Sequence, residues 1–143
     1  MKYLLASLLC YTAVPCLANS IEVTCPAEIE TTQTIKTTAP DFTVWDKSSR
    51  HYFDRFTFYS GNPHDNASLA PSDHTNAHAK WEFSAKDNIY ISCSYYSTEM
   101  ELYKKLPSGL TSCQVDYDTT SRGSASFLPK QIICEQAAHE SRG

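Results

Sequence analysis

Glycine is scarce in this chain, at 4 of 143 residues, and no glycine-rich loop is present to cradle a nucleotide phosphate. Gly-x-Ser-x-Gly is missing, so the elbow that presents a nucleophilic serine has no candidate. Cys-x-x-Cys is missing too, which removes the usual spacing of a zinc site. Basic residues are short, with 12 Lys and Arg against 16 Asp and Glu. The nearest approach to a basic cluster is Lys104-Lys105, a solvated strand end, so nucleic acid is not an expected partner. The longest apolar run, Tyr3 to Val14, falls well below the roughly 20 residues of a membrane-crossing helix, and no stable membrane anchor is expected. Nor does any later segment carry a sustained helical stripe.

What is present begins with Met1-Lys2, that short apolar run, and the small-residue site Cys16-Leu17-Ala18. Together they read as a removable export signal over residues 1–18. Lipidation would need a small residue directly before the acylated cysteine, but Leu9 precedes Cys10 and Pro15 precedes Cys16. The expectation is one β-rich domain over residues 19–143, periplasmic and monomeric, of ordinary domain size. Losing Lys2 leaves 11 basic residues against 16 acidic ones, a net charge near -5. Such a surface attracts a basic protein partner at long range.

Export also gives the cysteines their meaning. Cys10 and Cys16 leave with the signal, and Cys25, Cys93, Cys113 and Cys134 enter a compartment where disulfides persist. Four cysteines allow three pairings. Strand parity favours Cys113 with Cys134, because Cys113 shares a face with Val115 and Tyr117 while Cys134 shares one with Ile132. Cys25 with Cys93 follows by remainder.

Alternation of period two dominates the rest and predicts an all-β, mainly antiparallel, disulfide-stapled fold. Strands are expected over Ile21–Thr24, Ile29–Ile35, Phe42–Trp45, Tyr52–Tyr59, Asn88–Tyr96, Met100–Leu106, Ser112–Tyr117 and Lys130–Glu135. Turns are expected at Asp46–Ser49, Ser97–Glu99 and Pro107–Gly109, a polar loop over Asp118–Ser126, and a frayed tail from Gln136. Between Ser60 and Lys80 the periodicity vanishes. Connections of that length usually carry function, and Leu69 could pin the middle to the core. A short helical turn starting near Asp65 or Asp73 is possible there, as both residues cap helices.

Within that stretch His74 and His78 are four apart, which on a helix would place both imidazoles on one face beside Asp73, with His64-Asp65 nearby. The set lacks the glutamate of a zinc protease, and Thr75 and Asn76 are poor helix formers. Solvated loop histidines are the better reading, with no metal, cofactor or catalytic set expected. Asp116 with Asp118 and Glu99 with Glu101 read as strand edges rather than a glycosidase pair. Tyr52, Tyr59, Tyr90, Tyr96 and Tyr103 fall on polar strand faces, where they either pack as a second layer or serve as binding anchors.

Taken in order, Cys25-Pro26, Phe56-Thr57-Phe58-Tyr59-Ser60-Gly61-Asn62-Pro63, Ala67-Ser68-Leu69-Ala70-Pro71, Trp81-Glu82-Phe83, Cys93-Ser94-Tyr95, Leu106-Pro107, Cys113-Gln114-Val115 and Ile133-Cys134 form a series. It resembles a family of small exported bacterial proteins encoded beside type VI secretion genes. Some members resemble immunity proteins against peptidoglycan-targeting effectors of the L,D-transpeptidase type. The resemblance implies a non-enzymatic periplasmic inhibitor whose partner is a cognate effector acting on the cell wall. It transfers no contact residues. Exposure alone nominates His64, Asp65, Asp73, His74, Tyr96 and Tyr103 for that role. Two other readings are a lysozyme-inhibitor-like or accessory envelope module, and a small metal-dependent hydrolase using the loop histidines.

Overall fold

The computed structural model describes residues 19–36, 39–45 and 48–137. The candidate export signal, Asp46 and Lys47 of the expected turn, and the tail beyond residue 137 lie outside the described residues. Among the described residues, ten strands form two antiparallel sheets. The first sheet has the order β1-β10-β9-β6-β5, built from β1 (Ser20–Glu22), β5 (Asp73–His74), β6 (His78–Glu82), β9 (Leu110–Arg122) and β10 (Phe127–Gln136). The second has the order β2-β3-β7-β8, from β2 (Glu28–Thr32), β3 (Ser48–Ser60), β7 (Ile89–Tyr95) and β8 (Glu101–Lys105), with the two-residue β4 (Ser68–Leu69) added to β3.

The alternation in the sequence decides which faces meet. In β7, Ile89, Ile91, Cys93 and Tyr95 point inward, and their partners in β3 put Phe56 and Phe58 on the same face. From the first sheet Ala79, Trp81, Cys113, Val115, Ile132 and Cys134 join them in one core. Phe58 is fully buried and lies edge-on to Trp81 at 5.2 Å between ring centroids, with Phe56 edge-on to the same indole at 5.7 Å, so aromatic contacts span the two sheets. Leu69 packs against this core, and its carbonyl accepts the Trp81 indole N–H at 3.0 Å. That contact pins the middle of the long aperiodic connection, as its lone leucine suggested.

Both cysteine pairings are as parity and remainder predicted. Cys113 and Cys134 are direct partners in the β9–β10 ladder and are bonded. Cys25 lies where the chain crosses from the first sheet to the second, and its bond to Cys93 ties that crossing to the centre of β7.

Several expectations are corrected. Phe42–Trp45 is not a strand; it belongs to the β2–β3 connection, and Phe42 and Trp45 are exposed. Aromatic and β-branched composition alone did not make it a strand. Asp118–Ser126 is not all loop, because β9 continues to Arg122 and leaves a four-residue tip before β10. Polar residues populate both faces of that extension, since it runs past the core. The stretch from Ser60 to Lys80 holds a 3-10 turn at Pro63–Asp65, capped by Asn62 rather than started at Asp65, and a β5–β6 hairpin.

Candidate functional site

The six nominated residues fall into three places. His64 and Tyr103 meet on the outer face of the second sheet, edge to face at 5.6 Å, with Tyr90 tilted against Tyr103 at 6.4 Å. Asp65 ends the 3-10 turn that carries His64 and is exposed. The register places Tyr103 opposite Ser92, so it shares the outer face with Ser92 and Ser94, whose hydroxyls both donate to the Glu101 carboxylate. Beside it, Leu102, Tyr103 and Lys104 border a groove of about 400 Å³ against Thr24, Cys25 and Pro26. Met100, Leu102 and Tyr103 form an exposed apolar strip along this edge.

Asp73 and His74 lie on the opposite sheet in edge strand β5. The spacing of His74 and His78 belongs to a hairpin and not to a helix face: Asp73 pairs with Lys80, and the turn is closed by Thr75. The Thr75 amide donates to the His78 carbonyl at 2.7 Å, and the Thr75 hydroxyl accepts from the His78 amide at 3.0 Å. His78 is held elsewhere, its Nδ1 being 2.6 Å from an Asp116 carboxylate oxygen. Among the described residues no three histidine, cysteine or acidic side chains converge as a metal site would need.

Tyr96 is the third place. Its hydroxyl donates to the Arg122 carbonyl at 3.1 Å, which joins the end of β7 to the tip of the β9–β10 hairpin. That tip is fastened by Asp54, which occupies a bulge in β3 where the register with β7 shifts. The buried Asp54 carboxylate accepts from both the backbone amide and the hydroxyl of Ser124, with the Arg55 guanidinium at 3.5 Å. Burial pushes the Asp54 carboxyl up. The Ser124 hydrogen bonds, the Tyr96 hydroxyl and the Arg55 charge together outweigh burial and hold it below the ordinary 3.8. Tyr96 is shifted up, by desolvation and then by the neighbouring Asp54 charge. At Gly123 an added Cβ would stand 2.2 Å from the Asp54 carbonyl oxygen, so the strands approach there as closely as glycine permits.

Between this fastened tip and the β5–β6 hairpin opens a cleft of about 410 Å³. Ala79, Trp81, Tyr117 and Phe127 make it apolar; His74, Asn76 and Arg122 stand at its rim with Ser124 and Ser126. The Arg122 guanidinium lies 4.9 Å from the centroid of the Phe127 ring. Both walls are held by hydrogen bonds, so the cleft is preformed. Of the nominated residues only His74 reaches it. Arg122 escaped notice because Asp118–Ser126 looked like a plain loop, and Phe127 because the strand that follows was expected only from Lys130. Gly123 between two alternating runs was the available hairpin signal.

The chain is 30% identical over 146 residues to an uncharacterized 16.3 kDa protein from the trpG 5′ region of Azospirillum brasilense, covering 92% of this chain and 95% of that one. No solved structure gives a significant match. Residues 47–135, which run from β3 almost to the end of β10, match the profile of the type VI secretion system Tli immunity proteins. That match spans well over half of the chain, and this protein belongs to the Tli immunity family.

Proposed function

We propose that the protein acts in the periplasm, where it binds a cognate effector that attacks the cell wall and blocks it stoichiometrically, without catalysis of its own. Family membership carries the reading, since an immunity protein exists to bind its effector. The location is supported by the short apolar N-terminal run with its small-residue site, and by two disulfides that an oxidising compartment would sustain. The target class, an L,D-transpeptidase-type enzyme of peptidoglycan, follows from the sequence resemblance set out above. Contact with the effector is assigned to two exposed regions. One is the β8 side, with His64, Asp65 and Tyr103; the other is the hairpin end, with Asp73, His74 and Tyr96.

The test is protection. Cells producing the effector encoded beside this gene, directed to the periplasm, should survive when they also carry the full-length protein and lyse when they carry a form lacking residues 1–18. Equal protection by both forms would remove the periplasmic location. Lysis with both would remove the immunity reading itself. Purified effector assayed on isolated peptidoglycan, with and without this protein, then decides the target class.

A further inference from the structure

The cleft beside the β9–β10 tip combines properties that together specify a ligand. It is apolar inside, and a guanidinium and an imidazole stand at its mouth. Among the described residues that line it there is no aspartate or glutamate, in a chain whose acidic residues outnumber its basic ones 16 to 12. The nearby carboxylate, Asp54, is turned away and occupied by Ser124 and Arg55. The local charge therefore runs opposite to that of the whole molecule. We propose that this cleft recognises a carboxylate next to a large apolar side chain, and that its physiological occupant is a segment of the effector bearing that pair. The assignment of the occupant rests on the immunity reading.

Three physical arguments carry it. A cavity of about 410 Å³ is within the range of sites for small organic ligands and exceeds what one aliphatic side chain fills, so it admits a ring together with its neighbouring carboxylate. Arg122 offers several N–H donors in one plane and forms stronger, charge-assisted hydrogen bonds to a carboxylate than to a neutral amide. Finally, the walls are already fixed: Thr75 closes one hairpin turn, and Asp54 fastens the other tip through Ser124. Little ordering cost remains for the ligand to meet. Trp81 cannot swing to fill the space, because its indole N–H is engaged by the Leu69 carbonyl.

The chemistry is tested first without the effector. N-acetyl-phenylalaninate, titrated into ¹⁵N-labelled protein to tens of millimolar, should shift the amides of Gly123–Ser126 and the Trp81 indole N–H. N-acetyl-phenylalaninamide, which has the ring but no charge, should bind about tenfold more weakly, as expected for loss of a charge-assisted contact. Arg122→Ala should bring acid and amide to the same affinity, and Arg122→Lys should restore part of the difference. Equal binding of acid and amide by the unmodified protein, or no shift with either, overturns the proposal.

The occupant is tested with the purified effector encoded beside this gene. Ala125→Trp, which fills the cleft from its rim, and Arg122→Glu should each weaken effector binding a hundredfold or more, while Lys86→Ala, exposed in the β6–β7 turn and lining neither contact region, leaves it within about threefold. Unchanged melting curves establish that the variants are folded. If the unmodified protein binds the effector and both cleft variants bind it equally well, the proposed occupant is wrong and the immunity reading stands. If the unmodified protein does not bind the effector while the titration succeeds, the immunity reading and the proposed occupant fall together and the carboxylate chemistry of the cleft stands.

Discussion

Asp54→Asn isolates the fastening of the hairpin tip. The carboxylate is buried, takes two hydrogen bonds from Ser124 and faces Arg55 at 3.5 Å. Asparagine keeps the shape and one acceptor oxygen but removes the charge, and turns an N–H₂ group toward one of the Ser124 donors. Hydrogen bonds to charged groups contribute about 1.5–3 kcal/mol each, and Asn retains part of one, so a loss of about 2 kcal/mol at neutral pH is expected. For a chain of this size that is a fall in Tm of about 8 °C. The pH dependence carries the refutation. Since the native carboxyl is held below the ordinary 3.8, its contribution is full above the unfolded-state value near 4 and is lost as pH falls through the native value. Calorimetry of both proteins should therefore show the 8 °C gap at pH 7 and near-coincident transitions well below pH 4. A gap of the same size at both pH values refutes the electrostatic account and leaves only shape.

Gly123→Ala puts a Cβ 2.2 Å from the Asp54 carbonyl oxygen and should destabilise by about 2 kcal/mol in urea titration; combined with Asp54→Asn it should cost less than the sum, because both loosen one contact. Phe58→Ala empties a fully buried position packed against Phe56, Trp81 and Phe83, and a loss of about 3–5 kcal/mol is expected by the same measurement. Replacing Cys25 and Cys93 together with alanine opens a loop of 68 residues and should cost about 4 kcal/mol, a difference from the parent that disappears when both are measured in reductant.

Legibility in the sequence followed burial. β7 was readable to within a residue at each end, because Ile89, Ile91, Cys93 and Tyr95 all face one core and repeat with period two. Cys113 opposite Cys134 was readable for the same reason. Phe42–Trp45 misled because aromatic and β-branched residues signal a strand only when another strand is there to pair with, and pairing is decided elsewhere in the chain. Asp118–Ser126 misled in the opposite sense: an extension beyond the core loses the apolar face that makes strands visible. The nominated residues scattered for a related cause. Chain proximity put His64 near His74, whereas the sheets put His64 against Tyr103 and His74 beside Arg122. The cleft itself had no linear signature, since its walls come from two hairpins with β7 and β8 between them in the chain.

The ends of the two sheets have a consequence for how the molecule behaves in a crowd of its own copies. An exposed strand edge is a template for pairing with any chain that passes. On the first sheet the outermost strands are short, three residues in β1 and two in β5. On the second sheet β2 carries Glu28 and Glu30, and β8 carries Lys104 and Lys105 beside its apolar strip. The lysine pair that looked like an unremarkable strand end thus acts as a guard. It lets Met100, Leu102 and Tyr103 stay exposed while discouraging parallel, in-register stacks of β8 against β8, in which like charges would be brought together.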